Sequence, residues 1–338
     1  MADKRTKIGD IADALGLSTS TVSRALSGSG YVSDTSRRRV LETARKLGYV
    51  PDVNARNLRS GRQRSIGFLV SNLDDPFYAQ LATGFEAVAR QRGYTVMLAL
   101  DQGDEDDELQ AVTTLVSMGV TGVALTPVSS KPVDLMVKHG LAVVQLDRTV
   151  TREVSSVSGD NEEGGWLATS HLLEHGHSRI AIVLDHDRWT TGRDRVAGYR
   201  RAHADLGVPL DDALIMHIGE NPQTIQENLD RFFANRERRG ITAVFAANSV
   251  VARCLYEYCL EHDIRIPSEF SLVGYDDLAW TSLVRPAVTV VSQHVDELGR
   301  MGAESLHTLL APDRQERRPA MVRIQPTLEV RGTVACRD

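Results

Sequence analysis

The chain has 338 residues, 42% of them hydrophobic, enough for two or three compact units with cores of their own. Charge is uneven: residues 1–64 carry 13 Lys and Arg against six Asp and Glu, a surplus of seven positive charges, whereas the whole chain has a formal net charge of -6. The basic start lacks the apolar run of a signal peptide and no apolar stretch reaches membrane-spanning length, so a cytoplasmic protein without a membrane partner is expected. Three cysteines, Cys254, Cys259 and Cys336, form no C-x-x-C pair and no zinc spacing, which fits structural thiols in a reducing compartment.

A basic amino-terminal module can meet nucleic acid, an anionic membrane or an acidic partner, and charge alone does not choose. The first elements do. Ile8, Ile11, Ala12 and Leu15 keep helical spacing, Gly16 can take the positive φ of a sharp turn, and Ser18 can cap a second helix running through Val22 and Leu26. In such a helix-turn-helix only Val22, Ala25 and Leu26 need face a core, so the surrounding hydroxyls and Arg24 point outward. Hydroxyls and an arginine at the start of a helix suit base edges and phosphates in a major groove; a polar cap on an ordinary surface helix is the plainer alternative. Ser33 or Asp34 then opens a third helix with Val40, Leu41, Ala44 and Leu47 as its apolar positions, ended by Gly48 and Pro51.

The stretch KIGDIADALGLSTSTVSRALSGSGYVSDTSRRRVLETARKLGYVPDVNARNLRSG is followed in order by GHSRIAIV, IPSEFSLVGYDD and RPAVTVVSQ. On these residues the chain resembles the LacI/GalR family of bacterial transcription regulators over nearly its whole length. Within DVNARNLRSG, Asp52 can cap a helix of about eight residues, too short to persist in water without a partner. The resemblance implies that this is a hinge helix pairing across a dimer on DNA. Leu58 would wedge into the minor groove, with Asn54, Ala55 and Arg59 near the groove or the partner helix. A linker leucine resting on the large domain is the alternative for Leu58.

Beyond Gly61, the runs SIGFLVS, YTVMLAL, VTGVALT, LAVVQLD, RIAIVLD, ALIMHIG, TAVFAA and FSLVGYD alternate with helical stretches. That rhythm argues for parallel sheets covered on both faces, as one wide sheet or as two lobes. The resemblance implies two lobes of periplasmic-binding-protein type. The expected architecture is therefore a small all-α helix-turn-helix headpiece (1–51), a hinge helix and linker (52–63) and an α/β effector-binding and dimerisation domain (64–338). Its N-lobe is expected at about 64–160 and 294–324, its C-lobe at about 161–293 and 325–338.

Ligands of open α/β sheets bind beyond the carboxyl ends of the strands. There this chain has SNLDDPFY, DQGD, TPVS, DRTV, DHDRWTTGRDR, NSV and DDLAW. Carboxylates, amides, arginines and isolated aromatic faces suit a small polyhydroxylated ligand. The resemblance carries effector contacts to Phe77, Tyr78, Trp189, Thr191, Arg195, Asn248 and Asp276, with Asp74, Asp147, Asp160 and Trp280 as further candidates. Asp147 and Asp160 equally suit helix caps, Phe77 and Tyr78 lobe packing, and Trp280 the back of the cleft. Ser249 stands where many relatives have an aspartate.

There is no G-x-S-x-G elbow, no phosphate-binding loop and no dinucleotide fingerprint, and His175 and His177 lie in a turn without completing a ligand set. Neither an enzyme, a metal site nor a cofactor is expected. The expected function is sequence-specific DNA-binding transcriptional regulation, with repression as the family's usual behaviour. A homodimer would place Thr19, Ser20 and Arg24 on the base edges of an inverted-repeat operator in double-stranded DNA, under the control of a small sugar-like effector. A nucleobase- or nucleoside-dependent corepressor mechanism is the alternative; a solute-binding protein or carbohydrate-active enzyme of the same two-lobed fold is the reading from another class. No carboxy-terminal heptad repeat follows the domain, which makes a dimer simpler than a tetramer.

Overall fold

A computed structural model of the chain describes residues 6–27, 30–49, 64–186, 188–219, 221–311 and 318–337. The chain divides into two compact units, 1–63 and 64–338. The hinge segment, with Asn54, Ala55, Leu58 and Arg59, lies outside the described residues.

The first unit holds three helices: α1 (Ile8–Leu15), α2 (Thr19–Ser27) and α3 (Asp34–Lys46). Gly16 closes α1 in the left-handed conformation at φ 64°, and the Leu17 amide donates to the Ala12 carbonyl, so the chain reverses within two residues. The Ser33 hydroxyl, rather than Asp34, caps α3 by accepting from the Ser36 amide at 3.3 Å. Ile11, Ala12, Val22, Ala25, Val40 and Ala44 form the core. Leu41 and Leu47 do not join it as the spacing predicts; they are 38% and 40% exposed. Three short helices enclose too little volume for every apolar position, and Val40 and Ala44 alone occupy the buried stripe of α3.

The second unit begins with β1 (Ser65–Val70), α4 (Pro76–Gln91), β2 (Thr95–Leu100), α5 (Glu105–Ser117), β3 (Gly122–Leu125), α6 (Ser130–Lys138), β4 (Ala142–Leu146) and β5 (Ser155–Gly159). It continues with α7 (Asn161–Glu174), β6 (Ile180–Leu184), α8 (Thr190–Asp205), β7 (Ile215–His217), α9 (Pro222–Arg236), β8 (Ala243–Ala246), α10 (Ser249–Glu261), β9 (Ser271–Tyr275), α11 (Ala279–Leu283) and β10 (Thr289–Ser292). The last elements are α12 (Val295–Leu310), β11 (Met321–Ile324) and β12 (Thr327–Glu329). Two six-stranded sheets result, ordered β11-β5-β4-β3-β1-β2 and β12-β10-β9-β8-β6-β7. Every pairing is parallel except β12, which lies antiparallel on β10. The two orders are the same, strand for strand. The chain passes to the second sheet after β5, returns after β10, and crosses once more between β11 and β12.

Alternate residues of each strand meet opposite helical layers. Phe68 packs with Leu81, Phe85 and Leu298, while its neighbour Leu69 packs with Leu115, Leu125 and Met136. In the second sheet Val183 joins Phe232, Leu255 and Phe270, and Ile182 joins Leu172, Tyr199 and Tyr275. One helix pair in each lobe packs backbone to backbone. A Cβ on Gly198 of α8 would fall against the Glu162 carbonyl of α7, and one on Gly299 of α12 against the Leu81 carbonyl of α4.

Four strands lie beyond the eight that the sequence rhythm predicts: β5, β10, β11 and β12. The β5 run SSVSG is mostly serine, and β10, β11 and β12 are runs of only four, four and three residues, too short to show a strand period. Among the described residues no helix is long and apolar enough to cross a membrane.

Candidate ligand cleft and nucleic-acid interface

In the first unit, the Ser18 hydroxyl accepts from the Thr21 amide at 3.2 Å and lies 2.9 Å from the Ser20 hydroxyl and 2.8 Å from that of Thr21. This network starts α2 and holds its hydroxyl groups in one polar patch. Thr19, Ser20 and Arg24 are exposed, with Val22 and Ala25 buried beneath them. The Arg24 Nε donates to the Ser20 carbonyl at 3.3 Å, laying the guanidinium back along the helix. Exposed Arg38 and Arg39 on α3 add positive charge. The surface is therefore donor-rich and cationic, the chemistry that phosphates and base edges accept.

In the second unit, a cleft of about 530 Å³ opens beyond the carboxyl ends of the strands of both sheets. Asp147 follows β4 and Asp276 follows β9, the same place in the two strand orders. Both have left-handed backbones, at φ 62° and φ 71°, and their amides donate to Val157 and Val291 on the next strand, at 2.9 and 2.8 Å. A non-glycine residue held there stores about 1–3 kcal/mol, which the surrounding ladders must offset.

Arg195, 5% exposed, is fixed by three contacts. Its Nε donates to Asn161 Oδ1 at 2.8 Å, its Nη1 to the Ala247 carbonyl at 2.6 Å, and its Cζ lies 3.6 Å from the centre of the Tyr275 ring. Asp276 Oδ1 accepts from Gln293 Nε2 at 2.6 Å. Burial pushes the Asp276 carboxyl up to about 7, against the opposing pull of Arg195 and the Gln293 bond. Burial also raises Asp147, with Arg148 opposing.

Several contacts cross the cleft. Arg148 Cζ sits 3.2 Å from the centre of the Trp189 ring, while within its own lobe the Arg148 Nη2 donates to the Tyr78 hydroxyl at 2.6 Å. The Thr149 amide donates to Thr190 Oγ1 at 3.2 Å. The Ser249 hydroxyl donates to the Asp75 carboxylate, 3.2 and 3.4 Å from its two oxygens.

The cleft brings together Phe77, Tyr78, Asp147, Trp189, Thr191, Arg195, Asn248 and Asp276. Asn248 is in addition the cap of α10, its Oδ1 accepting from the Val251 amide at 2.8 Å. The structure separates the other three candidates from it. Asp74 and Trp280 line an adjoining chamber. Asp160 is not part of the cleft lining: its carboxylate caps α7 through the Glu163 amide and receives Gln325 Nε2, so the helix-cap reading describes it. Arg148, Asp75 and Gln293 line the cleft without having been singled out by sequence. Arg148 directly follows Asp147 in the post-strand stretch DRTV, which was the available signal. Gln293 follows β10, a strand whose four residues gave no such pointer.

A helix-turn-helix headpiece joined in one chain to a two-lobed α/β domain with a polar interlobe cleft defines a DNA-binding transcriptional regulator. Residues 7–52 match the description "Bacterial regulatory proteins, lacI family", and residues 169–334 match "Periplasmic binding protein-like domain". The chain thus carries a lacI-family helix-turn-helix domain followed by a periplasmic-binding-protein-like domain. It is 28% identical over 331 residues to the HTH-type transcriptional repressor PurR of Aliivibrio fischeri, covering 97% of this chain and 98% of that one. It is also 28% identical over 346 residues to the HTH-type transcriptional regulator DegA of Bacillus subtilis, covering 98% of each. A solved structure titled "transcriptional regulator CelR-cellobiose complex" aligns at TM-score 0.72 and 26% identity over 97% of this chain and all of that one.

Proposed function

We propose that the chain is a cytoplasmic repressor that binds an inverted-repeat operator as a homodimer and is controlled by a small, neutral, sugar-like effector held in the cleft. The observation that carries the effector class is a set of buried polar atoms without hydrogen-bond partners around the cleft. Arg148 Nε and Nη1 are donors awaiting an acceptor, while Asp147 Oδ1 and Gln293 Oε1 are acceptors awaiting a donor. Such groups are costly to bury unmatched, and a ligand whose groups both donate and accept, as sugar hydroxyls do, matches the mixture. Phe77 adds an aromatic group to the lining, and Trp189 adds an indole against which Arg148 already stacks. The cellobiose complex among the similar structures supports the same class.

On the DNA side, Thr19, Ser20 and Arg24 read base edges, and the hinge residues Asn54, Ala55, Leu58 and Arg59 act in the minor groove. Leu98 and Leu100, 47% and 38% exposed on the edge strand β2, support pairing with a second copy. Closing the cleft on an effector changes the separation of the paired hinges and so the operator affinity.

The test is selection of sheared genomic DNA by the intact chain and by a version lacking residues 1–60. Enrichment of a few inverted repeats by the intact chain alone is expected, with a sugar shifting their affinity. If neither version enriches any sequence with or without sugars, the regulator reading fails.

A further inference from the structure

The two edges of the first sheet carry opposite charge. Its carboxyl edge, which opens on the cleft, presents Asp74 and the exposed run Asp104, Glu105, Asp106 and Asp107. At its amino edge, where the strands begin and α4, α6 and α12 end, the exposed charged groups include Arg64, Arg90, Arg92, Lys138 and Arg318. Glu86 and Glu304 on this side are taken by Arg90 at 3.2 Å and by Arg92 at 2.9 Å. Among the described residues no carboxylate pairs with Arg64, Lys138 or Arg318.

We propose that this amino edge is a second DNA-contacting surface, which holds backbone phosphates of the duplex that the headpiece reads. The proposal rests on the operator-binding reading and adds to it residues outside the headpiece and the hinge segment.

The partial negative charge of helix C-termini attracts cations without any partner, and that alone accounts for Arg90, Arg92 and Lys138. It does not account for Arg64 and Arg318, which stand before the strands β1 and β11. The Arg64 carbonyl accepts from the Thr95 amide at 2.8 Å, and its Nη1 lies 2.7 Å from where a Cβ on Gly93 would be, so the guanidinium rests over the turn from α4 to β2. β1 and β11 are four strand spacings apart, about 19 Å, and Lys138 enters between them ahead of β4. The three cations form a row across the edge, too widely spaced for one small anion. A duplex, with one charge for about every 1.7 Å of its axis, offers phosphates all along such a row.

Chain connectivity brings that partner to this edge. Residues 50–63 join the headpiece to Arg64, a tether of at most about 50 Å. The corresponding edge of the second sheet is also cationic, but no headpiece is joined to it and its arginines are engaged within their own lobe. Arg179 meets Asp211 at 2.9 Å, Arg236 donates to the Glu269 carbonyl at 2.9 Å and Arg238 to Asn235 at 2.8 Å. That edge supplies the control.

The experiment measures the affinity of the full chain for a labelled duplex carrying one enriched inverted repeat, from about 50 to about 200 mM salt. Arg64→Ala, Lys138→Ala and Arg318→Ala combined should flatten the slope of log affinity against log salt by about 2–3 for each protomer bound, and weaken binding at least about tenfold at the lower salt. Arg64→Lys with Arg318→Lys should keep the parental slope, which separates lost charge from a disturbed edge. Arg231→Ala with Arg238→Ala on the second lobe should leave the slope unchanged and affinity within about twofold. All these side chains are exposed, so matching melting temperatures check the fold. A parental slope in the triple variant, or equal flattening per charge in the second-lobe control, overturns the surface and leaves operator binding standing. If the intact chain enriches no repeat, the operator reading fails and the surface with it.

Discussion

Asp147 and Asp276 hold matching positions on the two sheets, both in backbone conformations that favour glycine. The cost is met by strand hydrogen bonds, and it aims two carboxylates into one cleft. Because burial raises Asp276 from 3.8 to about 7, the folded chain keeps a proton there that the unfolded chain has lost between those two values. The associated stability is present below the lower value and disappears as pH rises through the higher one. Asp276→Asn, which has no charge to desolvate, should therefore gain on the parent in thermal stability as pH rises from about 5 to about 8. Calorimetric melting curves of the two proteins running parallel across that range would show an ordinary carboxyl at 276. Arg195→Lys keeps the charge but loses the fork that spans Asn161 and Ala247. Affinity for the tightest-binding sugar should fall about 10- to 100-fold, with unchanged affinity counting against a role in the cleft.

The helix pairs set these residues in place. Gly165 on α7 faces the Arg195 carbonyl on α8, and Gly198 faces Glu162, leaving no room for a Cβ at either point. Gly198→Ala should push the two helices apart and cost about 1–3 kcal/mol, read as a lowered denaturation midpoint with weaker sugar binding. An unchanged midpoint would mean that the helices slide to make room. This packing also explains what was legible in the sequence. Apolar spacing predicts α1, α2 and α3, and the post-strand stretches contain Asp147, Arg195 and Asp276, which the resemblance singles out; both signals are local in sequence. Asp75 and Ser249 meet across 174 positions, and Arg148 reaches Trp189 from the other lobe; no spacing within one element encodes either contact. Asp160 looked equivalent to its neighbours in sequence and differs only because its carboxylate turns back to the α7 amides.

At the scale of the whole molecule, pairing of two copies in the proposed homodimer would multiply the strength of two half-site contacts. Leu98→Glu combined with Leu100→Glu places charge on the exposed face of β2 and should give a monomer in sedimentation. Its affinity for a full inverted repeat should drop about 100-fold or more, towards that for a half-site. A monomeric variant with parental operator affinity would remove the homodimer from the mechanism. The crossing of the chain between sheets has a further consequence during synthesis. The first sheet opens with β1 but lacks its last strand until residue 324, and the second lacks its own until residue 329. The lobe begun first is thus finished only after nearly all of the second has left the ribosome, and a nascent chain stalled before β11 has two incomplete sheets.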